Sequence, residues 1–564
     1  MSKSEIIAAI SFGLLIFIVV FVRINFFFGL TIHAYTLLFS LIIYLLGIIV
    51  TFLFVPIFRN IQKSGYISMA IFIFLMALFM GGATLLSHTY DTSWDGQGYH
   101  QSAVIALAND WNPVYSSDIS FKQHLPSQIF AEGYPSALWE IEASIYALIG
   151  KINSAKIVNF YIAFIAILMT YILLRKFLLG KILSIFIATL ITLQPIFILQ
   201  LLTFMQDGFG YQLLVIASAA LIIYAKNFRE YWAIIVFILA EIFLVSLKYS
   251  FLPIALALGI IFGIIFINRL MNRDYRISKM FLTISLIFVF IAGVFSYLPY
   301  VRNQIAFDAT FFPTNITELM GSVSYNNIPR NIQEKNKLSL LFYGIFSQSQ
   351  SRESGDPRSQ ENIAQLKIPF TFTMEELENN GSHFNNRVGA GGPFFSGIVI
   401  ISIIFLVLAS LVTREKRERY AMYAAYFGIG LVFILAMLTP APNLLRYVSQ
   451  LQLIPFISAI PLLIFFKEFY IKTCALIILF IVAINSMLFG FSVGKEVVRD
   501  TRNINTQYAQ MRDSQKEYRV RAQQFYSSYI LLEEQNIPFM MVDHLKCQNI
   551  GQLVVSSTTT QYCK

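Results

Sequence analysis

ISMAIFIFLMALFMGGATLLSHTYDTSWDGQGYHQ, residues 67–101, runs from twenty mostly apolar residues into fifteen that hold two carboxylates, two histidines, a tryptophan and two tyrosines. An apolar run of that length is what an α-helix needs to cross the hydrocarbon core of a bilayer. The polar stretch abutting it is therefore expected at a membrane surface.

The same pattern recurs on both sides. The chain of 564 residues is 57% hydrophobic and 13% charged, with a mean hydropathy of +0.66, which excludes an ordinary soluble domain and fits a polytopic membrane protein. Fifty-four Phe against four Trp suit lipid-facing helices. Apolar runs predict thirteen spans, near 5–22, 35–57, 66–86, 154–174, 182–202, 208–225, 231–247, 252–268, 280–300, 394–413, 420–439, 447–466 and 471–491. The first has a basic start but no small-residue cleavage site, so it reads as retained. No internal repeat points to a solenoid. The expected class is thus an all-α polytopic membrane protein.

Charge sets the expected orientation. Alternate short loops (RNIQK, RKFLLGK, KNFRE, NRLMNRDYRISK, TREKRER and KEFYIK) hold seventeen Lys or Arg, whereas the opposite set holds three, Arg23, Lys248 and Arg446. Basic loops stay in the cytoplasm, so the N-terminus is expected inside and, with an odd number of spans, the C-terminus outside. The net charge of +10 then reflects those loops rather than a nucleic-acid partner.

The expected organisation is an N-terminal hairpin (1–65), a core (66–300) whose first outer segment is 87–153, and a long outer segment (301–393). Spans at 394–491 and an outer C-terminal unit (492–564) follow. Segment 87–153 carries seven Asp or Glu against two Lys, and its 101–108 and 136–149 patches suggest short interfacial helices. Segment 301–393 contains the aperiodic SQSQSRESGDPRSQEN and is expected to be mobile in part. The C-terminal unit reads as a charged helix, about 495–533, followed by a small mixed α/β unit. Cys547 and Cys563 would there share an oxidising compartment, as a disulfide or as two free thiols.

The candidate chemistry gathers on that outer side. Asp91 and Asp95 sit where a carboxylate can face water and a headgroup, and either can take a proton from an attacking hydroxyl. The alternative is that they cap helices and satisfy loop amides. His100 and His124 are metal candidates with these carboxylates, or else positioning groups; no metal motif matches their spacing. Gln206 and Asp207 occupy a short outer turn, as part of a site or as an N-cap. Arg302, Arg387 ahead of a glycine-rich turn, and Arg446 with Tyr447 read as a phosphate-holding set. Each arginine alone reads equally as an interfacial cation or a tie to a carboxylate.

Trp94–His100 in WDGQGYH, with LPYVRNQIAFDATFFP (298–313), RVGAGGPFFSG (387–397) and NLLRYVSQLQLIP (443–455), resembles the GT-C superfamily of integral-membrane glycosyltransferases. That group includes the lipid A aminoarabinose transferase and the protein O-mannosyltransferases. The resemblance spans most of 66–470 and implies a sugar donor on a polyprenyl phosphate or pyrophosphate, used at the outer face of a bacterial inner membrane. The acceptor would be a cell-envelope glycan, lipid or protein. It implies Asp95 as base with Asp91 second, Arg302 and Arg446 at the lipid phosphate, and Tyr99 or His100 positioning sugar or acceptor; beside these, Arg387 and Tyr447 are expected near the phosphate and Trp94, His124, Gln206 and Asp207 near the substrate. No cofactor is required, a divalent cation being the one candidate. Two departures stand out: the acidic segment follows the third span rather than the first, and the adjacent acidic pair of the O-mannosyltransferases is absent.

Two other classes fit the composition. An O-antigen-type polymerase or ligase would rely on outer arginines and histidines. A lipid or polysaccharide transporter would carry ionisable residues within its spans, where Glu241 is the clearest case.

Overall fold

The computed structural model describes residues 1–54, 62–119, 128–271, 287–314, 328–349, 363–382, 386–523, 525–547, 549–556 and 560–563. It is mostly helical with a small C-terminal sheet. Nine helices among the described residues are long and apolar enough to cross a membrane: Lys3–Phe27, Thr36–Phe54, Ser64–Leu86, Ile152–Lys176, Asp207–Lys226, Tyr249–Arg269, Phe395–Val412, Lys416–Leu438 and Phe469–Asp513.

The difference from thirteen has local causes. The run at 182–202 breaks into Lys181–Thr192 and Pro195–Gln200, because Pro195 lacks an N–H and holds Gln194 extended. The runs at 231–247 and 447–466 form the shorter helices Tyr231–Val245 and Ser449–Phe465. The run at 280–300 begins outside the described residues, and its end kinks at Leu298 before the short Arg302–Phe307 helix.

The Lys3–Phe27 helix, expected as half of a leading hairpin, lies inside the bundle. Two thirds (67%) of its most apolar stretch is buried, against 17% and 11% for Thr36–Phe54 and Ser64–Leu86. Arg23 explains how a polar residue survives there. It is fully enclosed, pairs with the equally enclosed Glu140 at 2.9 Å, and donates to the carbonyls of Val294, Phe295 and Leu298. One guanidinium thus joins three elements at the end of the bundle where the polar stretch 87–101 lies. At the opposite end Lys176 sits between Glu5 and Glu230.

The Phe469–Asp513 helix runs 45 residues, so at a rise of about 1.5 Å per residue it exceeds twice the thickness of a bilayer core of about 30 Å. Its second half projects from that same end. The charged helix expected to reach 533 stops at Asp513 instead. YRVRA then alternates buried Tyr518, Val520 and Ala522 with two arginines, a period of two that makes a strand. This strand, β1 (Tyr518–Ala522), pairs in parallel with β2 (Phe539–Met541) after the Ser527–Glu534 helix. It pairs antiparallel with β4 (Thr560–Cys563), which also binds β3 (Gly551–Gln552), giving the order β2-β1-β4-β3. Cys547 and Cys563 are disulfide-bonded, with their Cα atoms 6.4 Å apart.

Candidate functional site

The polar stretch at 87–101 is ordered by backbone capture. Asp91 is buried, its two oxygens accepting at 2.8 Å from the amides of Ser93 and of Phe204, 113 residues away. A Cβ on residue 96 would stand 2.1 Å from Asp91 Oδ2, so only glycine fits against this carboxylate. Burial raises the Asp91 pKa while its N–H donors act to lower it. Asp91 thus satisfies loop amides, the alternative reading of this carboxylate, and both its oxygens are engaged.

Beyond it, Gly96–His100 form a wide π-turn that leads into the Gln101–Ala108 helix. This turn points Asp95 at a different segment. Arg446 Nη1 donates to Asp95 Oδ2 at 2.7 Å, with 15% of the Asp95 side chain and 5% of the Arg446 side chain exposed. The guanidinium also stands 4.9 Å from the centre of the Tyr447 ring. Lys248 Nζ lies at the same 4.9 Å from that ring and is bonded at 2.6 Å to Asp207 Oδ1. Two ion pairs thus share one aromatic ring.

Aromatic groups close the remaining sides. Tyr99 packs on Tyr134 at 5.6 Å and on His100 at 4.2 Å. Burial, then the Asp95 charge, raises the Tyr99 hydroxyl well above its ordinary pKa, so it stays protonated as a donor. His100 Nδ1 accepts from the Trp139 indole at 2.9 Å. Burial and the Lys248 charge hold His100 well below its usual pKa, leaving a neutral ring whose Nε2 carries the proton. The Gln206 amide, oriented to satisfy its neighbours, donates to the Leu247 carbonyl at 2.7 Å and accepts from Trp139 at 2.9 Å. Gln200 reaches both the Gly208 amide (2.6 Å) and Asp207 (3.4 Å).

Seven expected residues, Asp95, Tyr99, His100, Gln206, Asp207, Arg446 and Tyr447, therefore belong to one connected cluster. Lys248, Tyr134 and Trp139 complete it. Lys248 carried a signal: it is one of three cations on the side poor in them. In the structure all three are neutralised, Arg23 by Glu140, Lys248 by Asp207 and Arg446 by Asp95.

Other expected residues lie elsewhere. Arg302 donates through Nη1 and Nη2 to the carbonyls of Glu132, Ser116 and Ser117 and to Asn303 Oδ1, and so ties loops together. Arg387 is buried and its carbonyl accepts from Asn443 at 3.1 Å. The glycine-rich turn behind it is held by Asn485, which accepts from the Phe394 amide at 2.8 Å and donates to the Gly391 carbonyl at 2.9 Å. The Gly389 amide is also taken, by the Gly344 carbonyl. Trp94 packs edge-on against Phe525 of the C-terminal unit, and Gln97 Nε2 donates to the Val555 carbonyl at 2.6 Å. His124 lies outside the described residues.

Among the described residues no group of three or more His, Cys, Asp or Glu is placed to hold a metal ion. The cluster's own positive charge comes from Arg446 and Lys248, and its residues do not fit a divalent cation. No protein-family model, no curated protein and no solved structure matches the chain.

Proposed function

We propose that the chain is an integral-membrane glycosyltransferase of the GT-C type, acting at the extracytoplasmic face. It takes a sugar from a polyprenyl phosphate or pyrophosphate and transfers it to a hydroxyl of a cell-envelope glycan, lipid or protein. The observation that carries this reading is the Asp95–Arg446 pair beside Asp207–Lys248, ringed by Tyr99, Tyr134 and Tyr447. A phosphate competes with Asp95 for Arg446, because guanidinium binds both anions in the same geometry. Donor binding would then release the carboxylate next to the bond to be broken.

The step follows from that exchange. The acceptor hydroxyl gives its proton to Asp95, and its oxygen bonds to the anomeric carbon. The bond from that carbon to the phosphate oxygen breaks, and the polyprenyl phosphate leaves with its new charge against Arg446 and Lys248. One displacement inverts the anomeric centre. Tyr99, Tyr134 and the neutral His100 supply donors and ring faces suited to a sugar.

The outer orientation is supported by the loop charges. The rule counts cations whether or not a carboxylate pairs them, and with Arg23 enclosed within the Lys3–Phe27 helix the cation-poor side keeps only Lys248 and Arg446 in its short loops.

The test is transfer by purified protein in liposomes, from a radiolabelled polyprenyl-phosphate sugar to an envelope-lipid or glycan fraction without added nucleotide. Labelled product is expected. Movement of the labelled lipid between leaflets without product would replace this reading with transport, and activity restricted to oligosaccharide-pyrophosphate donors would replace it with a polymerase or ligase.

A further inference from the structure

The described parts of 328–382 form a strap around the site end of the bundle, and its outward face is apolar. Leu338 and Phe342, one helical turn apart on the Lys337–Phe346 helix, are 66% and 48% exposed. Along the extended chain that follows, Leu366, Ile368, Phe372 and Met374 are also exposed, Ile368 at 74%. Water tolerates single apolar side chains on a surface, but a contiguous band of large ones marks a contact with another phase or molecule.

The height of the band says which. Lys337 Nζ donates to the carbonyl of Met437, at the very end of the Lys416–Leu438 helix. The Phe370 ring lies against Gly397 and Phe372 packs on Phe394 at 5.5 Å, both at the start of the Phe395–Val412 helix. Ser492 of the long helix donates to the Leu377 carbonyl. The strap therefore touches the bundle where two apolar helices end and where the apolar part of the long helix gives way to its charged half. Its band continues the lipid-facing surface of one of them, where Ile434 and Leu438 are 60% and 59% exposed.

Charge agrees with that level. Lys367, within the band, is buried and neutralised by Glu376. Of its exposed charges, Arg330, Lys335 and Lys337 gather with one acid, Glu334, at its start, and Glu375 and Glu378 follow Met374 at its end, so the cations sit at one end of the band and the acids mostly at the other.

We infer that this strap is a membrane-docked element, with Leu338, Phe342, Ile368 and Met374 seated in the headgroup–acyl boundary of the bilayer. The buried face of the same helix touches the segment that carries Arg446. A Cβ on Gly344 would meet the Asn443 backbone at 2.9 Å, and Asn443 is three residues before Arg446. On the glycosyltransferase reading, which this last point alone rests on, the strap holds the phosphate-binding arginine at the depth of lipid headgroups.

The test does not need activity. Single cysteines at Leu338, Ile368 and, as a lipid-facing reference, Leu438 are introduced in a Cys474→Ser background that keeps the disulfide, spin-labelled and reconstituted into liposomes of phosphatidylethanolamine and phosphatidylglycerol. Collision with apolar oxygen is then compared with collision with a polar nickel chelate. Positions 338 and 368 are expected to favour oxygen, as 438 does, with a label at the exposed Asn503 favouring nickel. Nickel-dominated collisions at 338 and 368 would overturn the inference by placing the band in water. Exclusion of both reagents would overturn it equally, since protein rather than lipid would then cover the band.

Discussion

Arg446 Nη1 stands 2.7 Å from Asp95 Oδ2, joining residues 351 positions apart at the mouth of a cluster otherwise closed by aromatic rings. Asp95 keeps more of its side chain open than Arg446, 15% against 5%. Asp91, four residues earlier, is buried with both oxygens engaged.

That contrast separates two substitutions. Asp91→Asn removes an acceptor from the amides of Ser93 or Phe204 and is expected to lower stability by about 1–3 kcal/mol. The protein that remains folded should keep near-normal turnover. Thermal unfolding in detergent and activity per folded molecule check both halves; normal stability with lost turnover would return Asp91 to the chemistry.

Arg23→Ala leaves Glu140 enclosed without its partner and frees three carbonyls. A loss of about 3–5 kcal/mol is expected. The double substitution with Glu140→Ala should cost less than the sum of the two single ones, as read from unfolding midpoints. Additive losses would mean the two residues are not coupled.

The C-terminal unit should respond to pH through Glu534. Burial, with Glu533 nearby, pushes its pKa from 4.5 up to about 7, against the Ile152 amide and Lys151. The folded state then holds a proton that the unfolded chain releases, so stability is full below 4.5 and falls as pH rises to about 7. The fall is at most about 3 kcal/mol. Protection factors in β1 and the Ser527–Glu534 helix, taken relative to intrinsic exchange at each pH, should fall between pH 5 and pH 8, and Glu534→Gln should flatten that fall.

Reduction of Cys547–Cys563, which spans 16 residues, is expected to cost the unit about 3 kcal/mol by loop entropy. Exchange should accelerate in β4 first. Intact mass without reductant tests the bond itself, since two free thiols would add the mass of two hydrogens.

Much of this was legible in the sequence, but unevenly. Asp95, Tyr99, His100, Gln206, Asp207, Arg446 and Tyr447 could each be singled out as polar groups beside apolar runs. Their pairing could not, because nothing local links position 95 to 446. The partners of Arg302 were hidden for the same reason: the carbonyls of Glu132, Ser116 and Ser117 converge only in the fold. Arg23 was counted as a loop charge although it ends an apolar run. Its carboxylate partner lies 117 residues on, in a patch legible only as amphipathic. The number of long apolar helices among the described residues differs from thirteen where local chemistry interrupts apolarity, most plainly at Pro195. The end of the long helix was obscured because YRVRA is as charged as the helix before it, and only its period of two marks a strand.

The central claim is tested most directly by the transfer rate of Asp95→Asn at saturating donor, with donor binding measured alongside. The account predicts a fall of about 10²- to 10⁴-fold in the rate, with donor affinity kept or improved because Arg446 is no longer held by a carboxylate. A rate within a few-fold of the unsubstituted protein would contradict it.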